Sequence, residues 1–264
     1  MKVREIVISE NIDKGIMLKK INNGIKNPTA VYHDAVSVLL SGGCEFMIGG
    51  GFALSFYTGI QRDTKDLDVF CQPKSYTQLL KCFANDGYRV ELTDSRWLAK
   101  VFKDDHFIDI IFDTVNGICH VDETWFTHAE NGEFLGLPVK FLAPEELIWC
   151  KIYVQNRERN DGADVNHLLL KTGHRLDWHR LLARLDAHWH LLLAQLLIFQ
   201  FVYPSDYRDI VPDWVFHDLM KRANDQYELP PSVEKVCRGP LIDQTQYEVD
   251  VKVWNYKSYT IKTV

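Results

Sequence analysis

The chain has 264 residues, 46% of them hydrophobic and 25% charged, which is ample apolar material for one large domain or two small ones. Gly 15 and Pro 9 are ordinary counts, and this excludes collagen-like and disordered chains. Lys+Arg 30 against Asp+Glu 36 leave a net charge of −6. A protein that coats phosphate backbones carries the opposite sign, so non-specific DNA binding is excluded as the main activity.

Residues 1–29 contain Asn22-Asn23-Gly24 and Asn27-Pro28 and read as a loosely packed leader with one short strand at 3–8. Lys2, Arg4 and Glu5 precede no apolar run, so a signal peptide is not expected. A helix is predicted over 30–40, stopped by Ser41-Gly42-Gly43. A short buried strand at 45–48 leads into Gly49-Gly50-Gly51, and helical character resumes over 52–57. A strand at 67–71 and a helix at 75–85 follow, with Ser75 expected as its N-cap and Asp86-Gly87 as its stop. Strand-like runs then cover 88–92, 97–102 and 107–112. A further candidate at 134–142 contains Pro138 and is expected at a sheet edge.

The pattern changes at Ala143-Pro144-Glu145-Glu146, where a proline in the first turn followed by acids marks a helix start. Helices are predicted over 144–157, 161–171, 177–185, 188–202 and 212–223. The tail alternates Val249, Val251 and Val253, which predicts a strand or extended arm. The layout is therefore a leader (1–29), a mixed α/β core (30–143), a helical part (144–235) and an arm (236–264). The longest apolar run, 191–203, is broken by Gln195 and Gln200 and falls short of the ~20 residues of a membrane span. No membrane segment is expected, and the cytoplasm is the expected compartment. Cys44, Cys71, Cys82, Cys119, Cys150 and Cys237 are scattered without a C-x-x-C pair, so neither a disulfide framework nor a zinc site is indicated.

The most informative residues are acids on strands. Asp66 and Asp68 are two apart, so both carboxylates share one face while Leu67 and Val69 take the other. Asp109 is the only polar residue of Phe107-Ile108-Asp109-Ile110-Ile111-Phe112. Adjacent strands lie ~4.8 Å apart, so the three acids can converge. Converging carboxylates repel, and a hard divalent cation removes that cost. Taken singly, each acid is better read as the wet side of a half-buried strand, and only together with the upstream glycines do they point to a site. Gly49-Gly50-Gly51 lies between strand and helix, where glycine lets backbone approach an anion and the helix start offers free N–H groups. A tight turn requires the same residues. No G-x-G-x-x-G and no P-loop sequence is present.

The order strand, Gly-Gly, helix, Arg62-x-Thr64-x-Asp66-Leu-Asp68, then an isolated Asp109, resembles the active-site signature of the polymerase-beta-type nucleotidyltransferase superfamily. It is most similar to the AbiEii/MenT-type branch and to small antibiotic nucleotidyltransferases. Ala143-Pro-Glu-Glu-Leu-Ile-Trp-Cys-Lys151, followed by Arg157-x-Arg-Asn-Asp161-x-x-Asp164, resembles that branch's helix lysine and its later basic-Asp-x-x-Asp motif. Asn160 stands where that motif has a basic residue.

The resemblance implies an α/β mixed-sheet core followed by a helical part. It implies an enzyme moving a nucleoside monophosphate from an NTP to a hydroxyl by two-metal chemistry. Asp66, Asp68 and Asp109 would hold Mg²⁺ or Mn²⁺, and Asp109 would help deprotonate the acceptor. Gly50, Gly51, Arg62, Thr64 and Lys151 would bind the nucleotide, with Arg157, Asp161 and Asp164 in support. The implied acceptor is tRNA or other RNA, a protein or a small molecule, and a toxin-like role is one implied setting. A degenerate nucleotide- or partner-binding module and an antibiotic-modifying enzyme are the competing readings.

Overall fold

The computed structural model describes residues 28–259, so the strand expected at 3–8 lies outside the described residues. Helix α1 (Pro28–Ser41) buries Val31, Tyr32, Ala35, Val36 and Leu39, the spacing of one helical face. After it come β1 (Met47–Ile48), α2 (Gly50–Thr58), β2 (Leu67–Phe70), α3 (Tyr76–Asn85), β3 (Arg89–Asp94), β4 (Leu98–Lys103) and β5 (His106–Ile111). These follow the predicted order. Ser75 does occupy the N-cap position of α3, but its side chain makes no capping hydrogen bond.

The segment 113–143 is richer than its sequence suggests. A short helix α4 (Glu123–His128) is capped by Asp122, which accepts from the Thr124 N–H. It leads into a hairpin of β6 (Glu130–Phe134) and β7 (Leu137–Phe141). The hairpin turns at Leu135 and Gly136, both at positive φ, as a two-residue turn requires. The strand with Pro138 is therefore β7, an inner strand, and β6 takes the edge. Proline is tolerated because β7 pairs with β1 only at Phe141, three residues further on.

Among the described residues the main sheet has the order β3-β4-β5-β2-β1-β7-β6. It is mixed, since β2 pairs with β5 in parallel and β1 with β2 antiparallel. The register of β2 on β5 sets Leu67 beside Ile108, Asp68 beside Asp109 and Val69 beside Ile110. The four aliphatic residues are fully buried. Their burial anchors the two strands and leaves the two acids together on the other face.

The helical part consists of α5 (Pro144–Lys151), α6 (Gly162–Thr172), α7 (Trp178–Leu185), α8 (Trp189–Val202), α9 (Tyr207–Ile210) and α10 (Asp213–Glu228). Helix α5 stops at Lys151, six residues before the predicted end. The chain then doubles back through a bridge between Gln155 and Asn160, and the Asp161 N–H donates to the Val154 carbonyl. This turn swings Asp161 towards the end of α5.

The tail holds β8 (Val236–Cys237), α11 (Glu248–Lys252) and β9 (Lys257–Ser258), with β8 and β9 parallel. The expected strand at the alternating valines is instead the helix α11, braced by a Glu248–Lys252 ion pair. The alternation carries no strand because no sheet edge receives it, and Val249 and Val253 are exposed.

Trp178–Val202 is the one stretch among the described residues long and apolar enough to cross a membrane. It is longer than the 191–203 run, but it is two helices. A 3-10 turn at Asp186–His188 separates them, with Asp186 at φ 35. Leu181, Leu192, Leu196 and Phe199 are buried in a core that runs without a break from Val31 to Leu241. Arg180 and Arg184 pair with the fully buried Glu146.

Candidate active site

Asp66, Asp68 and Asp109 each offer a carboxylate oxygen, and these oxygens all lie within 4.8 Å of one another. Asp68 and Asp109 are direct cross-strand neighbours, and Asp66 stands just before β2. Burial pushes the Asp68 carboxyl up to about 7, and the charges of Asp66 and Asp109 add to this against the opposing pull of Arg159 and Lys151. Burial also raises Asp109. Three hard oxygen donors whose ionisation is opposed by burial and by one another suit a hard divalent cation, which supplies the missing positive charge. The three acids therefore fit such an ion.

The glycines beside them have separate reasons. Gly50 takes φ +54, and a β-carbon on it would stand 1.7 Å from Asp68 Oδ2. A β-carbon on Gly51 would meet the Thr64 methyl at 2.6 Å, and one on Gly49 would meet the Phe70 ring at 2.3 Å. The run thus lets Asp68, Thr64 and Phe70 close over the start of α2. Gly49 gives the helix no side-chain cap, which leaves the first-turn N–H groups without that partner. Gly51 is a packing residue for Thr64 as well as a candidate phosphate contact.

The second cluster is built from the helical part. Lys151 is buried at 6% exposure, with Nζ 2.7 Å from Asp161 Oδ2 and 2.8 Å from Asp164 Oδ2. It is not the open cation that the resemblance implies, because it is buried between the two acids. Arg62 reaches Asp164 Oδ1 at 2.5 Å. Arg159 grips Asp161 with Nε and Nη2 at 2.9 and 2.8 Å. Burial works against ionisation of Asp161, but Arg159 and Lys151 outweigh it and hold the carboxyl below its usual range. Asp161 occupies the N-cap position of α6 without capping it, since its oxygens serve these two cations.

Arg157 does not enter this cluster through its side chain. Its backbone N–H donates to Asp243 Oδ2 at 3.2 Å. The basic contribution comes from Arg159, two residues before Asp161, in place of the residue Asn160 displaces. The sequence quotes Arg159 inside the motif, but only the turn after α5 shows that it, and not Arg157, faces the acids. A second residue that sequence reading missed is Lys100, whose Nζ lies 2.6 Å from Asp109 Oδ1. Its one visible signal was a charge in the middle of an otherwise apolar strand.

A mixed sheet with three acids on and beside two adjacent parallel strands, a glycine-opened helix against them and a following helical part is the α/β fold of a nucleotidyltransferase. The chain belongs to the family described as "nucleotidyl transferase of unknown function (DUF2204)", whose profile matches residues 29–187, more than half of the chain. It is an enzyme of the nucleotidyltransferase class. No curated protein matches it.

Among solved structures it is similar to an antigenic nucleotidyltransferase-like protein from Paracoccidioides brasiliensis, with TM-score 0.44 and 17% identity over 72% of this chain and 96% of that one. It is also similar to the antibiotic-resistance factor ANT(2″)-Ia, with TM-score 0.41 and 16% identity over 75% and 97%. A third likeness is the lincosamide antibiotic adenylyltransferase LnuA, with TM-score 0.40 and 14% identity over 55% and 98%.

Proposed function

We propose that this nucleotidyltransferase moves a nucleoside monophosphate from an NTP to a hydroxyl acceptor, at a centre where Asp66, Asp68 and Asp109 hold Mg²⁺ or Mn²⁺. The observation that carries this reading is the convergence of the three carboxylates within 4.8 Å. A divalent ion bound there supplies Lewis-acid stabilisation of charge on the phosphoryl oxygens.

The chain's own groups do the rest. The N–H groups of Gly50 and Gly51 receive phosphate oxygens at the start of α2. Arg62 and Arg159 bond Asp164 and Asp161 but stay 43% and 65% exposed at the side chain, so a triphosphate can reach them from solvent. Lys151 acts behind them by fixing Asp161 and Asp164, which aim those two arginines. Thr64 packs over Gly51 and shapes the approach. Asp109 takes the acceptor's hydroxyl proton as the new P–O bond forms and the bond to pyrophosphate breaks.

The reading assigns residues 30–143 to the nucleotide side, 144–235 to the wall that meets the acceptor, and 236–264 to an arm. A cytoplasmic setting belongs to it, because NTPs are held there. The test is incubation of the protein with each α-labelled NTP, Mg²⁺ and cell extract. Label in tRNA, other RNA or a protein supports a toxin-like role. Label in a small molecule supports a resistance-type role. Binding of NTP without transfer to anything would make the chain a nucleotide-binding module and overturn the reading.

A further inference from the structure

Lys100 sits on β4 directly opposite Asp109 of β5. Its Nζ lies 2.6 Å from Asp109 Oδ1, and the two side chains are 25% and 14% exposed. The same ammonium stands 4.2 Å above the centre of the Phe107 ring. Phe107 and Asp109 are two apart on β5 and share a face. The ammonium is thus held between a carboxylate and an aromatic face contributed by one strand, which is a fixed position and not that of a solvated surface lysine.

Its neighbours on β4 make it stand out. Ala99 and Val101 are fully buried, so Lys100 points to the face opposite theirs, where the acids are. Three other cations of the site bond acids outside the cluster. Lys151 and Arg159 bond Asp161, and Arg62 bonds Asp164. Among the described residues, Lys100 is the cation that the ion-pair geometry assigns to the cluster itself. Fully ionised, the three carboxylates alone would carry three negative charges. With Lys100 bonded they carry two, which one divalent cation cancels.

We propose that Lys100 is a positioning residue of this centre: it holds one oxygen of Asp109 and limits how strongly the acid cluster attracts a divalent cation before nucleotide arrives. The inference rests on the function proposed above, since it takes the three acids to be ion ligands. Its physical basis is that a unit positive charge a few ångströms from the ion opposes the ion's binding, while the hydrogen bond keeps Asp109 oriented towards Asp66 and Asp68.

The test is titration of the metal-free protein with Mn²⁺, following free Mn²⁺ by electron paramagnetic resonance, for the parent, Lys100→Met and Lys100→Arg. Methionine keeps the length of the stem and removes the charge, and arginine retains the charge. Lys100→Met is expected to bind Mn²⁺ about tenfold or more tighter than the parent, and Lys100→Arg about as the parent does. A merely structural lysine would shift the thermal midpoint and leave Mn²⁺ affinity alone. Lys100→Gln serves as the uncharged variant if Lys100→Met does not fold. Equal or weaker Mn²⁺ binding by the uncharged variant overturns the assignment while leaving the ion site intact. A parent that binds no Mn²⁺, and whose titration is unchanged in Asp68→Asn, overturns the ion site and this inference with it.

Discussion

Gly50 and Asp68 share a space that only a glycine leaves open, for a β-carbon at position 50 would lie 1.7 Å from Asp68 Oδ2. The glycine run is therefore needed by the acid before any ligand is considered. The helix start and the strand acid are two halves of one arrangement, and the positive φ of Gly50 is the conformation that brings them together.

Gly50→Ala should break that arrangement. The left-handed backbone costs a non-glycine residue about 1–2 kcal/mol, and the new methyl group must displace the Asp68 carboxylate. We expect a lower thermal midpoint together with loss of Mn²⁺ binding. A variant that binds Mn²⁺ as the parent does would show that Asp68 has no part in the ion site.

Asp68→Asn separates the ion site from the fold in the other direction. The carboxyl is pushed up to about 7 by burial and by its two acidic neighbours, so the ionised form is held at a cost. Asparagine removes that charge at constant size, and the metal-free protein should be as stable as the parent or more so. Transfer from labelled NTP should fall roughly 100-fold or more, because the acid that holds the ion is gone. A sharply lower midpoint would make Asp68 a structural residue.

The acids were legible in the sequence because each signal was local. Asp66 and Asp68 alternate with buried Leu67 and Val69, and Asp109 interrupts an apolar run. Lys100 and Arg159 were not legible as partners, because what they touch is decided by distant pairing. The register of β4 on β5 delivers Lys100 to Asp109. The turn after Lys151 delivers Arg159 to Asp161. That turn was hidden because Ile152 and Tyr153 continue the apolar content of α5 and are buried like it. The alternating valines of the tail misled for the converse reason. A period of two specifies a strand only where another strand is present to pair with it.

The helical part should depend on a buried charge network. Glu146 is fully buried and takes both Oε1 and Oε2 contacts from Arg180, at 2.5 and 2.7 Å. Arg180 also reaches Glu145. Arg180→Met would leave the buried carboxylates without their main cation, and about 3–5 kcal/mol of stability should be lost in urea unfolding. Adding Glu146→Leu should restore part of it, since the uncompensated charge is then removed. A single variant as stable as the parent would mean that Arg184 alone, 3.5 Å from Glu146 Oε1, satisfies the site.

A second pH effect, away from the acids, should arise at His188. Its Nδ1 lies 2.7 Å from the Tyr153 hydroxyl, in the turn between α7 and α8. Burial holds the imidazole below its usual 6.5, and the charges of Arg238 and His190 act the same way against a weaker opposing pull from Asp186. The folded protein therefore keeps His188 neutral at pH values where the unfolded chain has already taken up a proton. Proton binding to the unfolded state then draws the equilibrium towards unfolding. The stability contributed by neutral His188 is present above the unfolded pKa and is lost as pH falls from there through the folded pKa. Between about pH 7.5 and about pH 5.5 this contribution lowers the thermal midpoint, while proton uptake by Asp68, whose carboxyl is pushed up to about 7, raises it. His188→Gln keeps a polar group for Tyr153 but cannot titrate, so over the same interval its midpoint should shift upward relative to that of the parent. Equal changes in midpoint for parent and variant would show that His188 charges as readily in the folded protein as in the unfolded chain, and that the Tyr153 contact does not depend on the neutral ring.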